Sequence, residues 1–328
     1  MNRREIIQTG LASLSATALA PYAAFGQSKF PERPIRMIIP FSAGGVTDIV
    51  GRQWAERMKS NLGTVYIENQ GGGAGTIGAS EVARAQPDGH TILLGNTSIL
   101  VLNPMTSTKL SYDPAKDFVP VGIIAVAATA LAVNASVPAK TVKEFVDYAK
   151  ANPDKMAYGS AGTGTMTHLA GEQFKQLTGL KDLIHVPYKG AGPGIADLVS
   201  GHVPAMTPHV TGQLLEFHKA GKIRIIAVFA PQRLKGAPDI PTAIELGYPN
   251  MVGQLFIGVF APSATPKPVV EQIAAANHKV ADDAGFQKAL IDSGLEPVRD
   301  TPEKAKAYIA EESARWAPVV KAIGLKME

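Results

Sequence analysis

From residue 35 onward, short apolar runs alternate with longer segments whose apolar positions recur every three or four residues. Ile35 to Pro40 has the pattern of a buried strand, Ala43-Gly44-Gly45 that of a tight turn, and Asp48 to Lys59 that of a helix. Thr64 to Glu68 then reads as a strand, Gly71 to Gly75 as a loose turn, Thr76 to Ala85 as a helix, and Thr91 to Gly95 as a strand ending in Asn96-Thr97-Ser98. Strand and helix alternate, so the fold class is α/β with a parallel sheet.

Val119 to Val133 carries almost no charge and reads as consecutive buried strands that take the chain into a second domain. There Thr141 and Glu144 form a capping box, Met156 to Tyr158 is a strand, and Gly159 to Thr165 is a second glycine-rich turn before a helix from Met166 to Leu177. A strand at Leu183 to Val186 leads into Pro187-Tyr188-Lys189-Gly190, and Val203 to Thr207 ends at Pro208-His209. Helices are expected at Gly194 to Val199 and Gly212 to Lys219, and Ile223 to Phe229 reads as a second buried crossover. Beyond Ala230 the chain is expected to return to the first domain and end in two amphipathic helices, Val269 to Ala284 and Thr301 to Ile323. Residues 28–123 with 229–328 would then form domain 1, and 124–228 domain 2, each a sheet flanked by helices. Two domains joined by two crossovers make a cleft able to close on a ligand.

Residues 1–27 fall outside this pattern. Arg3-Arg4 precedes an alanine-rich apolar run and a small-x-small cleavage site at Ala24-Phe25-Gly26, which is the plan of an export signal, twin-arginine or Sec. No later stretch approaches the roughly 20 apolar residues of a membrane span. The chain has no cysteine, which excludes disulfides, thiolate metal sites and a lipid-modified cysteine. The expected location is the bacterial periplasm, without a stable membrane anchor. A net charge of +4, scattered among acids, favours anionic ligands weakly and gives no nucleic-acid footprint.

The first turn offers backbone N–H groups at a helix start, a ready site for a carboxylate or phosphate, or simply a tight connection. Its residues are Phe41, Ser42, Ala43, Gly44 and Gly45, with Thr47 and Asp48 following. The second turn, Ser160, Ala161, Gly162, Thr163, Gly164 and Thr165, repeats the arrangement, and His168 falls in the helix behind it. Asn96 and Thr97 at a strand end are either ligand contacts or caps. Tyr188, Lys189, Thr207 and His209 stand at other strand ends on the cleft side, where structural roles are equally open. The seven histidines form no metal-ligand spacing, and no nucleophile elbow is present, so no catalytic residue, metal or cofactor is expected. Gly73-Ala74-Gly75-Thr76-Ile77-Gly78 matches a dinucleotide fingerprint and raises an exported nicotinamide-dependent oxidoreductase as an alternative. The acidic residue expected about 20 positions on is absent.

Pro40 to Gly45 with Asp48, Glu68-Asn69-Gln70 and Tyr112-Asp113-Pro114 are joined further on by Tyr158 to Gly162, His168 to Glu172, Val186 to Gly190, Pro238 to Thr242 and Trp316. Together they resemble the tripartite tricarboxylate transporter substrate-binding family, the Bug-type periplasmic receptors, over the whole mature chain. The resemblance implies a two-domain Venus flytrap that captures a small carboxylate (a di- or tricarboxylate, an acidic amino acid or an aromatic acid) in its cleft. It implies delivery to a membrane permease with one large and one small subunit, by a monomeric receptor that is not an enzyme. A ligand sensor for a periplasmic signalling domain would use the same pocket. The resemblance also implies that Phe41 to Gly45 and Ser160 to Thr165 hold a ligand carboxylate, mostly through backbone groups. Phe256 stands where many relatives carry tryptophan at the pocket wall, a departure that leaves that wall and the identity of the ligand open.

Overall fold

The computed structural model describes residues 30–327, so the expected leader lies outside the described residues. From Arg33 the chain forms one compact unit. Its strands are β1 (Ile35–Ile39), β2 (Val65–Asn69), β3 (Thr91–Asn96), β4 (Phe118–Asn134), β5 (Ala157–Ser160), β6 (Ile184–Pro187), β7 (Ala205–Met206), β8 (Ile223–Phe229), β9 (Gln254–Pro262) and β10 (Leu295–Pro297). The principal helices are α1 (Val46–Asn61), α2 (Thr76–Ala83), α3 (Val142–Ala151), α4 (Met166–Thr178), α5 (Ala191–Ser200), α6 (Gly212–Lys219), α7 (Lys267–Asp282), α8 (Ala284–Asp292) and α9 (Pro302–Ile323).

Two lobes share β4. In the first, β1 lies between β2 and β3, parallel to both, and β9 runs antiparallel between β3 and the first half of β4. In the second, β5 lies parallel between β6 and β7, and the far half of β4 pairs antiparallel with β7 and β8. The apolar run expected as consecutive strands is therefore one strand of 17 residues, bent by irregular register at Pro120/Gly122 and Ile123/Ala125. It exchanges partners between Ala128, opposite Gln254, and Thr129, opposite Phe229. Both its faces are buried, which is why no polar alternation marks its middle: Leu131 and Val133 enter one core with Phe145, Phe174 and Phe229, while Ala130 and Ala132 enter another with Leu198 and Met206.

Residues 230–253, expected with the first lobe, pack on the second. Leu234, Ala237 and Ile240 join one of its cores, Ala243 and Met251 the other, and the Gly253 N–H still bonds the Phe229 carbonyl at 2.9 Å. Their apolar side chains follow no regular period, so only tertiary packing assigns them. The helix expected to end at Ala284 stops at Asp282, because the Asp283 carboxylate accepts the Phe286 N–H at 2.6 Å and starts α8. Cap signals at Thr141 and Thr301 hold as expected, with Thr141 Oγ1 accepting the Glu144 N–H at 3.1 Å and Pro302 in the first turn of α9. Trp54 on α1 is fully buried and donates to Asn277 on α7 at 2.8 Å, a brace that fixes α1 and the turn preceding it.

Candidate ligand-binding site

A cavity of about 950 Å³ opens between the glycine turns of the two lobes. Phe41 and Ser42 line it from the first lobe, and Ala161, Gly162, Thr163, Thr165 and Tyr188 from the second. Two hydrogen bonds join the lobes beside it: the Ser42 hydroxyl donates to the Lys189 carbonyl at 3.4 Å, and the Met166 N–H at the start of α4 donates to Ser98 Oγ at 3.1 Å.

The first turn is shaped from inside. Gly44 takes a φ of +80°, a left-handed conformation natural to glycine, and α1 starts without a side-chain cap. Asp48, in the first turn of that helix and 3% exposed, accepts the Gly44 N–H at 2.9 Å and Arg52 Nε at 2.9 Å on one oxygen. Its other oxygen accepts from Asn69 at 2.9 Å, and Asn69 also reaches the Phe41 carbonyl at 3.0 Å. Burial pushes the Asp48 carboxyl up, but its bonds from Arg52, Gly44 and Asn69 prevail and hold it below the usual carboxylate range. An anion does sit at this helix start, as the dipole favours, and it is the protein's own.

The second turn is likewise wired internally. The N–H groups of Ala161, Gly162, Gly164 and Thr165 donate to Thr167 Oγ1, Ser160 Oγ, His168 Nδ1 and the Gly162 carbonyl at 2.9, 3.2, 3.1 and 3.3 Å. The expectation of a row of free donors is thus corrected: among the described residues the Thr163 N–H has no protein partner, whereas its neighbours in the turn do.

Other expected contact residues do not line the cavity. Ala43, Gly44 and Gly45 lie beside it in the first turn, and Ser160 and Gly164 lie in the second turn without facing it. Thr47 accepts from Asn96 at 3.2 Å, while Asn96 also caps Ile99 at 3.3 Å, so the capping reading of Asn96 holds. Thr97 Oγ1 accepts the Phe256 N–H at 2.8 Å, and Phe256, at the position left open as a pocket wall, is buried with its ring edge-on to Tyr308. Thr207 donates to the Thr167 carbonyl at 2.7 Å. His209 is buried against Thr129 at 3.3 Å, and burial pushes its ring down to about 3. Asn96, Thr97, Thr207 and His209 stand at or just beyond strand ends, but nearby backbone groups and side chains take up their bonding capacity.

His168 stacks on His185 with ring centres 4.0 Å apart, and His185 Nε2 lies 2.7 Å from Ser160 Oγ, so this pair buttresses the second turn from behind. Burial pushes His168 down to about 4 and His185 to about 3. Both rings are neutral in the fold, whereas an unfolded histidine protonates near 6.5. Because the unfolded chain binds more protons below that value, stability contributed by the pair is complete above pH 6.5 and lost as pH falls towards 4. His168 alone accounts for about 3 kcal/mol. The urea midpoint of the protein is expected to fall across that window, and a flat midpoint between pH 6.5 and 4 contradicts the neutral pair.

Among the described residues the lining holds no carboxylate and no arginine, and its charges are Lys109, Lys189 and Lys326. The fingerprint segment Gly73 to Thr76 stands between β2 and α2 and lines the cavity along with Gly71, Gly72 and Asn69. Among the described residues no group of histidine and acidic side chains could hold a metal ion, and no helix is long and apolar enough to cross a membrane. Among the described residues the lining thus combines backbone groups, hydroxyls and three lysines.

A family model described as tripartite tricarboxylate transporter family receptor matches residues 50–325. The chain belongs to that receptor family. It is 31% identical over 321 residues to Protein BugT of Bordetella pertussis, covering 97% of each chain. The solved structure of the periplasmic binding protein BugD has a TM-score of 0.86 at 34% identity, covering 91% of this chain and 100% of that one. R. palustris Rpa4515 with adipate has a TM-score of 0.86 at 32% identity, covering 90% of this chain and 99% of that one. MatC (Rpa3494) from Rhodopseudomonas palustris with bound malate has a TM-score of 0.83 at 32% identity, covering 89% and 100%.

The Bug-type receptor thus has the mixed sheets and flanking helices of periplasmic binding proteins, and its family is one of substrate-binding receptors rather than enzymes. In this receptor the sequence pattern left out the loop from Gly71 to Thr76, Ser107 and Lys109, and the tail residues Lys326 and Met327. The first has a usable signal, since it follows a strand parallel to β1 and so emerges at the same sheet edge as the first turn. The others come from distant segments joined only in the fold.

Proposed function

We propose that this receptor works in the periplasm, capturing a small carboxylate between its lobes and delivering it to a two-subunit permease of the tripartite tricarboxylate transporter type. The observation that carries the reading is the cavity itself: an interdomain space lined by hydroxyl and backbone groups and three lysines, with no acid among the described residues of its walls. Adipate and malate in the structures of two relatives at 32% identity support the ligand class. Phe41, Ser42, Thr163, Thr165 and Tyr188 are the side chains proposed to meet the cargo, while Gly162 shapes the wall. Tyr188 is held in place by donating its one hydroxyl hydrogen to Asp197 at 2.8 Å; burial, then that bond, raises the hydroxyl to about 12 and keeps it neutral.

The test is a thermal-shift screen of the purified protein against mono-, di-, tri- and aromatic carboxylates, with NAD and NADP alongside. A ligand that binds only the folded state stabilises it by about 2.7 kcal/mol at a hundredfold excess over Kd. Stabilisation by one carboxylate class is expected. A response to the nucleotides alone would overturn the reading in favour of the dinucleotide fingerprint.

A further inference from the structure

The tail beyond α9 reaches from one lobe to the other. Met327 forms a parallel bridge with Ser107: its N–H donates to the Thr106 carbonyl at 2.7 Å, and its carbonyl accepts the Thr108 N–H at 3.0 Å and the Thr108 hydroxyl at 3.2 Å. These partners belong to the first lobe, in the segment after β3, where Thr106 is buried and Asn103 donates to the Ala74 carbonyl at 3.1 Å. The Met327 backbone is therefore fixed on the first lobe. Its side chain lies against the second, with sulfur and terminal methyl in the space that a Cβ on Gly164 would fill. Gly164 is buried in the second glycine turn, just before α4, and its N–H donates to His168 Nδ1 at 3.1 Å. Met327 is half-buried and also lines the cavity.

We infer that Met327 is a clasp between the lobes: the tail holds it on the first, it seats on Gly164 of the second while the cleft is closed, and it thereby slows release of the cargo. This rests on the closing cleft of the proposed receptor and not on the chemistry of what it binds. The lobes cannot part at this point without drawing the thioether from its seat. A methionine suits the part, because its contact is apolar and non-directional and its three rotatable bonds let it refill the seat at each closure with no hydrogen bond to re-form. The seat exists because position 164 carries no side chain. The hydrogen bonds that also join the lobes, from Ser42 and from the Met166 N–H, use atoms of the first turn and of α4 themselves. Met327 acts from outside both glycine turns, so it is a positioning residue that can be changed without altering either of them.

Two measurements test the clasp in the full chain. The first needs no ligand. The chain has no cysteine, so Tyr66→Cys on β2 and Ile184→Cys on β6, both exposed and one in each lobe, take a pair of spin labels whose separation reports the closed and open fractions. Met327→Ala is expected to lower the ratio of closed to open about fivefold, and Met327→Leu, which refills the seat, to restore it. A ratio that Met327→Ala leaves unchanged, zero included, overturns the clasp. The second is stopped-flow release of adipate and of malate. Met327→Ala is expected to speed dissociation about fivefold without slowing association. In a Gly164→Ala background, whose methyl already fills the seat, Met327→Ala is expected to have no further effect, whatever Gly164→Ala does by itself. An effect of equal size in both backgrounds would mean that Met327 acts by touching the cargo, and overturns the clasp. If neither probe binds the wild type, the spin-label ratio alone decides the clasp, and the carboxylate screen decides the receptor reading separately.

Discussion

Gly162→Val is expected to weaken carboxylate binding by at least about a hundredfold, equivalent to about 2.7 kcal/mol, while leaving a folded protein. Gly162 sits at φ +135°, a backbone region that is essentially glycine-only, and a Cβ there would lie 3.2 Å from the Tyr188 carbonyl. Valine must rotate the backbone away. Yet this peptide is the hub of the turn: its N–H donates to Ser160 Oγ, and its carbonyl accepts from the Thr165 N–H at 3.3 Å, Thr165 Oγ1 at 2.7 Å and Ser160 Oγ at 3.3 Å. Rotation strains or breaks bonds worth about 1 kcal/mol each and moves Thr163 and Thr165 off the cavity wall. The damage stays local, because the cores of the second lobe are built from β4, β8 and the helices rather than from this turn. Calorimetry with whichever carboxylate stabilises the wild type, paired with circular dichroism melts, separates the two effects. Affinity within threefold of wild type in a folded variant would show that the second turn is no part of the binding wall.

The same turn shows how far a single sequence carries. Strand, glycine turn and helix were legible in both lobes because each is local: a run of apolar residues, a turn rich in glycine, then apolar positions at helical spacing. What the pattern could not tell is where the N–H groups of the turn point. Donors expected to be free are taken by Thr167, His168 and Ser160, side chains that lie within six residues but whose direction depends on the packed fold. Asp48 read as a ligand contact because it opens a helix beside a glycine turn, and in the fold it occupies that helix start itself. Phe256 was drawn towards the cavity by the resemblance and His209 by its place at a strand end, and both lie in the core instead. Lys109 and Lys326 carried no signal. They are 217 positions apart, and it is the fold, with its bridge between Ser107 and Met327, that brings their segments together. Residues 230–253 show the same principle, since irregular apolar spacing fixes that a segment is buried but not against which lobe.

Asp48→Asn is expected to destabilise the fold by about 2–4 kcal/mol and to weaken ligand binding at least tenfold, although it changes neither size nor shape. The buried carboxylate accepts on both oxygens, from the Gly44 N–H and Arg52 on one and from Asn69 on the other. An amide has only one accepting oxygen, so whichever way it is turned its NH₂ faces a donor, and at least one buried N–H loses its partner. Either orientation releases the turn: one frees Gly44 from its left-handed position, the other frees Asn69 and with it the Phe41 carbonyl. Phe41 and Ser42 then lose the fixed geometry with which they line the cavity, which is why binding suffers along with stability. The pH dependence supplies an independent check. A carboxyl held below its ordinary value by its partners contributes stability that is complete above the unfolded pKa near 3.9 and lost as pH falls below it. The difference in urea midpoint between wild type and Asp48→Asn should therefore be largest at neutral pH and shrink below pH 4. A constant difference down to pH 3, or a variant as stable as wild type at pH 7, would mean that the Asp48 charge does not hold the first turn.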